Sequence, residues 1–253
     1  MDVLPIIAIL VGGVVAGIVN TLVGGGTSIV FPLLLALGID PQLANGSNRF
    51  CVAFQAGAAA KTLRGKTGAT SRETFAPALC AVLGSIPGAY LATVLDPELF
   101  KALVGWILLA GVAFFFVPKK KSKGEAEFTT DAPRRLSPVG LLVAFLFGVY
   151  GAFLGAGIGV LIMLYLPSLL RLPLVRMLEV KVWMVFALSA TAGIVFVWQG
   201  QVDWWVVSAL LPSYMIGGVL GAKLAIRGGD AWVRRSIAAV AALLALAIIA
   251  GLI

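Results

Sequence analysis

Two basic residues occur within apolar stretches of the chain, where a charge is costly to bury. Arg49 lies in "ANGSNRFCVAF" and Lys181 lies in "RMLEVKVWMVF". A charged side chain inside a bilayer is unfavourable by several kcal/mol, so such residues mark substrate or ion paths. The carboxyl group of Glu179 precedes Lys181 by two positions. These residues predict recognition of a small anion, with Glu179 as the candidate for proton coupling.

Other interpretations of these residues are open at this point. Arg49 can extend to the membrane interface, and Lys181 can belong to a structural ion pair. Residues two apart on a helix do not face each other, so Glu179 has another partner or another role. The polar residues before Arg49 suit a helix cap and substrate contact equally well; they are Asn45, Ser47 and Asn48.

Glycine runs interrupt two further apolar segments, "NTLVGGGTSIVFP" and "GAFLGAGIGVLIM". One glycine in a membrane helix commonly serves helix contact, whereas a run of glycines inside an overlong segment breaks the helix. The second arms are predicted to begin near Thr27 and Ser28, and at Ile158 and Gly159. Free N–H groups at a helix N-terminus attract anions. The breaks therefore predict an anion site between two helix N-termini.

The predicted site joins both glycine segments with both cations. Its predicted substrate-binding residues are Asn20, Gly24, Gly25, Gly26, Thr27, Ser28, Asn48, Arg49, Gly155, Gly157, Ile158, Gly159 and Lys181. No catalytic site, metal site or cofactor is predicted, because the chain has no His, no paired acid and no nucleophile with an evident base.

Membrane-spanning helices must position this site. The chain has 253 residues, 60% of them hydrophobic and 12% charged, against roughly 25% charged in soluble domains. Its apolar runs reach the ~20 residues that cross a bilayer. The predicted segments are Val3–Leu37, Asn45–Leu63, Thr74–Val94 and Glu98–Val117, then Leu136–Leu169, Pro173–Trp198, Trp204–Ile226 and Trp232–Ile253. The net charge of +8 lies in short loops, as positive-inside topology requires, so nucleic acid is not a predicted partner.

The order of segments repeats, with an overlong broken segment followed by three ordinary spans. "GIVNTLVGGGTSIVFPLL" aligns without a gap with "GVYGAFLGAGIGVLIMLY", and Arg49 then corresponds to Lys181 after one inserted residue. Residues 1–117 and 136–253 are the two predicted transmembrane repeats, joined by a cytoplasmic linker, residues 118–135. The predicted fold is an all-α polytopic membrane protein with two inverted repeats, each a broken-helix hairpin plus three transmembrane helices.

The distribution of basic residues selects this topology. As one straight helix, Val3–Leu37 would be about 52 Å long, which exceeds a hydrocarbon core of ~30 Å. If each overlong segment is instead a hairpin, its arms have roughly 11–17 residues and reach about the middle of the membrane at the helical rise per residue. All but three of the 19 basic residues then lie in cytoplasmic segments. Each repeat then crosses the membrane three times, so the second is inverted and both termini are extracytoplasmic. Secondary transporters have this architecture.

The first glycine segment and the span after it resemble a known family. "GIVNTLVGGGTSIVFPLLLALGIDPQLANGSNRFCVAFQ" resembles the first signature of the sulfite exporter TauE/SafE family, also called the toluene sulfonate uptake permease family, and the likeness extends over essentially the whole chain. "MLEVKVWMV" departs from the small polar pattern of the second copy. The resemblance implies transport of sulfite, thiosulfate, sulfonates or sulfoacetate, whereas the residues alone predict only a small anion.

The predicted function is secondary transport rather than enzymatic activity. An exporter in the bacterial cytoplasmic membrane would bind the anion between the hairpins and move it by alternating access; uptake would need coupling to H⁺ or Na⁺. The predicted partners are a small anionic substrate and the lipid bilayer, and the oligomeric state is not predicted. The alternatives are an anion or solute channel, and a non-transporting membrane partner of a sulfur-metabolism enzyme. No P-loop motif is present, so an ATP-driven pump would need a separate subunit.

Overall fold

A computed structural model describes residues 3–96, 98–99, 103, 137–170 and 172–249, and within these ranges the regular structure is helical. The helices with described bounds are α1 Val3–Leu22, α2 Thr27–Ala36, α3 Pro41–Leu63, α4 Ser71–Val94, α5 Pro138–Phe153, α6 Ile158–Leu170, α7 Leu174–Trp198 and α8 Trp204–Ile249. The non-helical backbone of Gly229 interrupts α8, as expected between the last two predicted spans. The linker, Arg171, both termini and most of the span Glu98–Val117 lie outside the described residues.

Both predicted helix breaks are confirmed. α1 ends at Leu22 and α2 begins at Thr27, while α5 ends at Phe153 and α6 begins at Ile158. The arms of the second segment have 16 and 13 residues, within the predicted lengths. Those of the first have 20 and 10 residues, outside the predicted lengths, because its glycines follow the middle of the segment.

In each broken segment the second arm runs back beside the first. A Cβ atom built on Gly12 of α1 would lie 3.1 Å from Leu33 Cδ2 of α2. The rings of Phe147 on α5 and Tyr165 on α6 lie 6.4 Å apart. Each contact joins a residue well before the break to one well after it. Both segments are therefore helical hairpins with their turns at the glycines.

The third helix begins before its predicted start. Asp40 Oδ1 accepts a hydrogen bond of 2.9 Å from the backbone N–H of Gln42, and Pro41 occupies the first helical position, where a missing N–H costs nothing. The prediction that this span begins at Asn45 is wrong. Asn45, Ser47 and Asn48 lie within α3 and do not cap it.

Helix packing is reciprocal between the first four and the last four helices. α1 packs along α8, and α5 packs along α4. α3 and α7 pack against each other, α3 also against α8 and α7 also against α4. The α3/α7 pair therefore lies at the centre, where both hairpins can reach it.

The apolar surface and the polar interior fit a membrane protein. By length and composition, three helices within the described residues can cross a membrane: Ser71–Val94, Leu174–Trp198 and Trp204–Val233. The outer surface carries exposed large apolar side chains such as Phe75, Ile194 and Trp198. α3 is much more polar, but six of its polar side chains are buried within the protein; they are Gln42, Asn45, Ser47, Asn48, Arg49 and Gln55.

Candidate anion site

The Arg49 guanidinium joins the two hairpins in the protein interior. Arg49 is 1% exposed, and its Nη2 donates to the Leu154 carbonyl oxygen at 2.5 Å and to Thr27 Oγ1 at 3.4 Å. Leu154 directly follows α5, and Thr27 is the first residue of α2. The interpretation in which Arg49 extends to the interface is therefore wrong, because its charge is held at the hairpin turns.

Lys181 occupies the corresponding place on the other hairpin. It is fully buried, and its Nζ donates to the Asn20 carbonyl oxygen at 3.0 Å and to the Thr21 carbonyl oxygen. These carbonyls belong to the last turn of α1. Lys181 and Glu179 do not form an ion pair, since Arg176–Glu73 is the one ion pair found among the described residues.

Each cation follows one hairpin in sequence and caps the first arm of the other. The last carbonyl groups of a helix lack intrahelical donors and carry partial negative charge, so a cation is favourable there. The sequence predicts an anion site near both cations and two helix N-termini, and the hydrogen bonds of the two cations differ in this respect. Only Arg49 approaches one, through Thr27, whereas the hydrogen bonds of Lys181 go to a helix C-terminus.

The two hairpin turns touch through glycine backbone. A Cβ atom on Gly24, whose φ is +98°, would lie 2.2 Å from Gly159 Cα. One on Gly155, whose φ is +64°, would lie 2.0 Å from Arg49 Nη2, whereas one on Gly157, at φ +73°, would meet no atom within 4 Å. Gly24 and Gly155 are therefore required both for their left-handed backbone and for the close approach of a neighbouring group. Gly157 is required for its backbone conformation alone.

A polar network presents the start of α2 to Arg49. Asn48 Nδ2 donates to Thr27 Oγ1 at 3.2 Å, and the Tyr214 hydroxyl donates to Asn48 Oδ1 at 2.8 Å. All four side chains are at most 2% exposed. No side chain caps the N-terminus of α2 at Gly26. The N–H groups of the next residues of α2 donate to backbone carbonyl oxygens, so those of Gly26 and Thr27 are the ones that can serve another acceptor.

The remaining predicted residues complete the turns with fewer polar groups. Ser28 is half-buried, and its N–H donates to the Gly25 carbonyl oxygen at 3.0 Å. A Cβ on Gly25 would have Val19 Cγ1 at 4.0 Å as its nearest neighbour. Ile158, at the position of Thr27 in the second hairpin, is buried and carries no side-chain donor. The start of the second arm therefore offers a side-chain hydroxyl in the first hairpin, at Thr27, and none at the corresponding position of the second hairpin.

A second network surrounds the end of α1. Asn20 Nδ2 donates to Gln55 Oε1 at 2.7 Å, and Gln55 Nε2 donates to Thr21 Oγ1 at 2.7 Å. Thr21 Oγ1 in turn donates to the Gly218 carbonyl oxygen at 3.4 Å. Sequence reasoning missed Thr21, Gln55 and Tyr214. Thr21 and Gln55 could have been found as polar residues within apolar spans. Tyr214 could not, because a tyrosine in a membrane span is not unusual enough to indicate a functional site.

Two buried polar atoms beside the turn of the second hairpin lack partners. Asn45 Nδ2 donates to the Phe153 carbonyl oxygen at 2.9 Å. Among the described residues, Asn45 Oδ1 and Arg49 Nε have no hydrogen-bond partner. An unpaired buried polar atom is unfavourable by about 1–3 kcal/mol, so this pair of atoms calls for a further group.

Glu179 lies apart from the two cations. It is 3% exposed, accepts a hydrogen bond from Thr67 Oγ1, and lines a cavity of about 280 Å³ together with Arg64 and Trp183. Positions two apart on an α-helix point about 200° apart, so Glu179 and Lys181 lie on different faces of α7. The structure does not bring Glu179 into contact with the anion site.

Loop contacts join α3 and α7 at both ends. Near the start of α3, Ser47 Oγ accepts from the Asp203 backbone N–H at 2.8 Å, just past the end of α7. Near the start of α7, Glu179 accepts from Thr67, just past the end of α3. Arg176 adds an ion pair of 2.8 Å to Glu73 on α4, a helix that begins at Ser71 rather than at the predicted Thr74. α3 and α7 are therefore antiparallel.

Comparison with known proteins gives the same family as the resemblance noted in the sequence. The family model described as "Sulfite exporter TauE/SafE" matches residues 9–248. The chain is 29% identical over 225 residues to a protein of Haemophilus influenzae named "Probable membrane transporter protein", covering 88% of this chain and 86% of the relative.

Two further relatives have similar names. A Sinorhizobium protein named "Probable membrane transporter protein ORF9" is 26% identical, covering 95% of this chain and 90% of the relative. The Bacillus subtilis "Probable membrane transporter protein YunE" is also 26% identical, covering 86% of this chain and 88% of the relative. No solved structure matches the chain.

Proposed function

The chain belongs to the sulfite exporter TauE/SafE family and is a membrane transporter, and we propose that it exports a small sulfur-containing anion by alternating access. Sulfite, sulfoacetate and other organosulfonates are the proposed cargo. The observation that carries this proposal is Arg49, a fully buried guanidinium with an unpaired Nε and no acidic partner among the described residues. A buried charge without a counter-ion is unfavourable, and an anion would relieve that cost.

The proposed anion site lies where Arg49 meets the two hairpin turns. The uncapped start of α2 at Gly26 and Thr27 supplies backbone donors beside the guanidinium. Lys181 adds positive charge from the other hairpin. The full proposed set is the one predicted from the sequence: Asn20, Gly24, Gly25, Gly26, Thr27, Ser28, Asn48, Arg49, Gly155, Gly157, Ile158, Gly159 and Lys181. Within this set, Gly157 supports the backbone turn and is not proposed to touch the anion.

We further propose that residues 1–117 and 136–253 are inverted repeats joined by a cytoplasmic linker, residues 118–135, with both termini extracytoplasmic in the bacterial cytoplasmic membrane. The reciprocal helix packing and the antiparallel α3 and α7 support this architecture. The loop contacts Ser47–Asp203 and Thr67–Glu179 would open alternately as the repeats rock. The two hairpin turns, which meet through the backbone of Gly24 and Gly159, would act as the pivot about which the two repeats rock.

The orientation is tested by labelling single cysteines in intact cells after Cys51 and Cys80 are replaced by alanine. A cysteine at Asp2 should react with a membrane-impermeant maleimide, because the first hairpin returns to the side from which it entered. A cysteine at Lys121 in the linker should react only after the cells are opened. Protection at Asp2, or labelling of Lys121 in intact cells, would contradict the proposed topology.

The membrane potential favours export of an anion. A negative interior contributes about 2.3 kcal/mol per charge for each 100 mV, so export needs no further coupling, whereas uptake would need H⁺ or Na⁺. Glu179 is the proposed coupling residue for uptake, because its buried carboxylate lines a cavity. In proteoliposomes, an inward proton gradient should drive accumulation of methanesulfonate, which carries no proton of its own. Glu179→Gln, which keeps an acceptor for Thr67, should abolish accumulation; unchanged accumulation would exclude this role.

The central experiment measures flux of labelled sulfite through the purified full chain in proteoliposomes. Efflux should saturate, and unlabelled sulfite on the opposite side should accelerate it, because a carrier returns faster when loaded. Lys181→Met, which keeps the length and removes the charge, should slow flux by about tenfold or more, as expected for loss of one charge-assisted hydrogen bond. Linear flux without acceleration would indicate a channel. Absent flux would indicate a non-transporting partner.

A further inference from the structure

The two unpaired atoms beside the second hairpin turn have opposite requirements. Arg49 Nε carries a hydrogen and needs an acceptor, whereas Asn45 Oδ1 needs a donor. The amide orientation of Asn45 follows from its other contact, since the Phe153 carbonyl oxygen can only accept and therefore must face Nδ2. Both residues are at most 1% exposed, so bulk water does not satisfy either atom.

These atoms lie on one face of α3 and beside the same turn. Residues four apart on a helix have Cβ atoms about 5–6 Å apart. Asn45 donates to the Phe153 carbonyl, and Arg49 donates to the carbonyl of the adjacent Leu154. The start of α2 adds the backbone N–H groups of Gly26 and Thr27, which lie near Arg49 because its guanidinium also contacts Thr27. The surroundings therefore offer several donors and one acceptor.

From this pattern we propose, resting on the function proposed above, that the site recognises an oxyanion in its singly protonated form, such as hydrogensulfite. The ionised oxygens accept from Arg49 Nε and from the first turn of α2. The substrate O–H donates to Asn45 Oδ1. A fully ionised oxyanion or a sulfonate has acceptors only, so either would bind but more weakly, because Asn45 Oδ1 would stay unpaired beside an electron-rich oxygen. Asn45 is then the residue that selects the protonation state of the cargo.

The test compares binding of sulfite and methanesulfonate to the purified full chain by calorimetry from about pH 5.5 to pH 8.5. Both ligands bear three oxygens on sulfur, but only sulfite changes from a singly protonated to a fully ionised form in this range. Wild-type affinity for sulfite should fall at least about tenfold as the pH rises, since one hydrogen bond is lost. Methanesulfonate keeps one ionisation form in this range, so any change in its affinity measures titration of the protein, and the ratio of the two affinities removes that contribution.

Asn45→Leu tests the residue itself, because leucine has a similar size and no acceptor. The variant should lose the preference for sulfite at low pH by about tenfold and keep its affinity for methanesulfonate. Equal weakening of both ligands would indicate a structural role and overturn the proposal. A pH-independent ratio in the wild type would do the same and indicate that only water bridges the two atoms. If neither ligand bound the wild type, the proposed function would fail as well.

Discussion

Replacing Arg49 by glutamine should reduce sulfite flux in proteoliposomes by about two orders of magnitude. The variant removes the buried charge and the free Nε donor. Each charge-assisted hydrogen bond contributes about 1.5–3 kcal/mol, and 1.4 kcal/mol corresponds to tenfold in affinity. Arg49→Lys should retain part of the flux, because an ammonium keeps the charge but lacks the planar fork that reaches Leu154 and Thr27 and leaves Nε for the proposed anion.

The matched control for this change is Arg72→Gln. Arg72 is exposed, so its loss should leave flux unchanged. Thermal unfolding in detergent separates a lost site from a lost fold. A buried cation without an acidic partner contributes little net stability, so Arg49→Gln should unfold within a few degrees of the wild type. Wild-type flux in a folded Arg49→Gln protein would exclude Arg49 from the anion site.

The second large effect is expected from one methyl group at the turn of the second hairpin. Gly155 and Gly157 both have positive φ, 64° and 73°, so alanine strains the backbone at either position by roughly 1–2 kcal/mol. Only at Gly155 would the new Cβ meet the Arg49 guanidinium, at 2.0 Å from Nη2. Gly155→Ala should therefore displace Arg49 and abolish flux, whereas Gly157→Ala should lower only the unfolding temperature.

This pair of variants isolates close approach from backbone strain, since the two glycines lie in the same turn. Flux per folded protein, normalised by the detergent unfolding curve of each variant, is the measurement. Near-wild-type flux in both variants would mean that the guanidinium tolerates a shift, and that its geometry against Gly155 is not required for transport. Loss of flux in both would assign the effect to the backbone turn rather than to Arg49.

The elements of the hairpins were predictable because their causes are local. A glycine run breaks a helix wherever it occurs in an apolar segment, and the arms begin at Thr27 and Ile158 as predicted. The start of α3 was misplaced although its signal is local too. Asp40 followed by Pro41 is an N-cap and first-turn pair, but hydropathy begins to rise only after them.

The partners of the cations were not predictable from spacing. Arg49 contacts a carbonyl 105 residues away, and Lys181 contacts carbonyls 160 and 161 residues away. Their charge and depth indicate an anion, and helix N-termini are the usual backbone sites for anions. In the folded chain both cap helix C-termini, and Arg49 also reaches the start of α2 through Thr27. Packing of α3 against α7 sets which end of each hairpin they reach.

By itself the sequence determined a helical membrane protein, its two helix breaks, its buried cations and its resemblance to a transporter family, because hydropathy, glycine content and charge are local properties. Only the tertiary structure decided that each cation caps the opposite hairpin, that Glu179 contacts Thr67 rather than the proposed anion site, and that Asn45 and Arg49 keep one unpaired atom each among the described residues. Hydrogen-bond partners and burial depend on how separate helices pack, and no single segment of the chain specifies that arrangement.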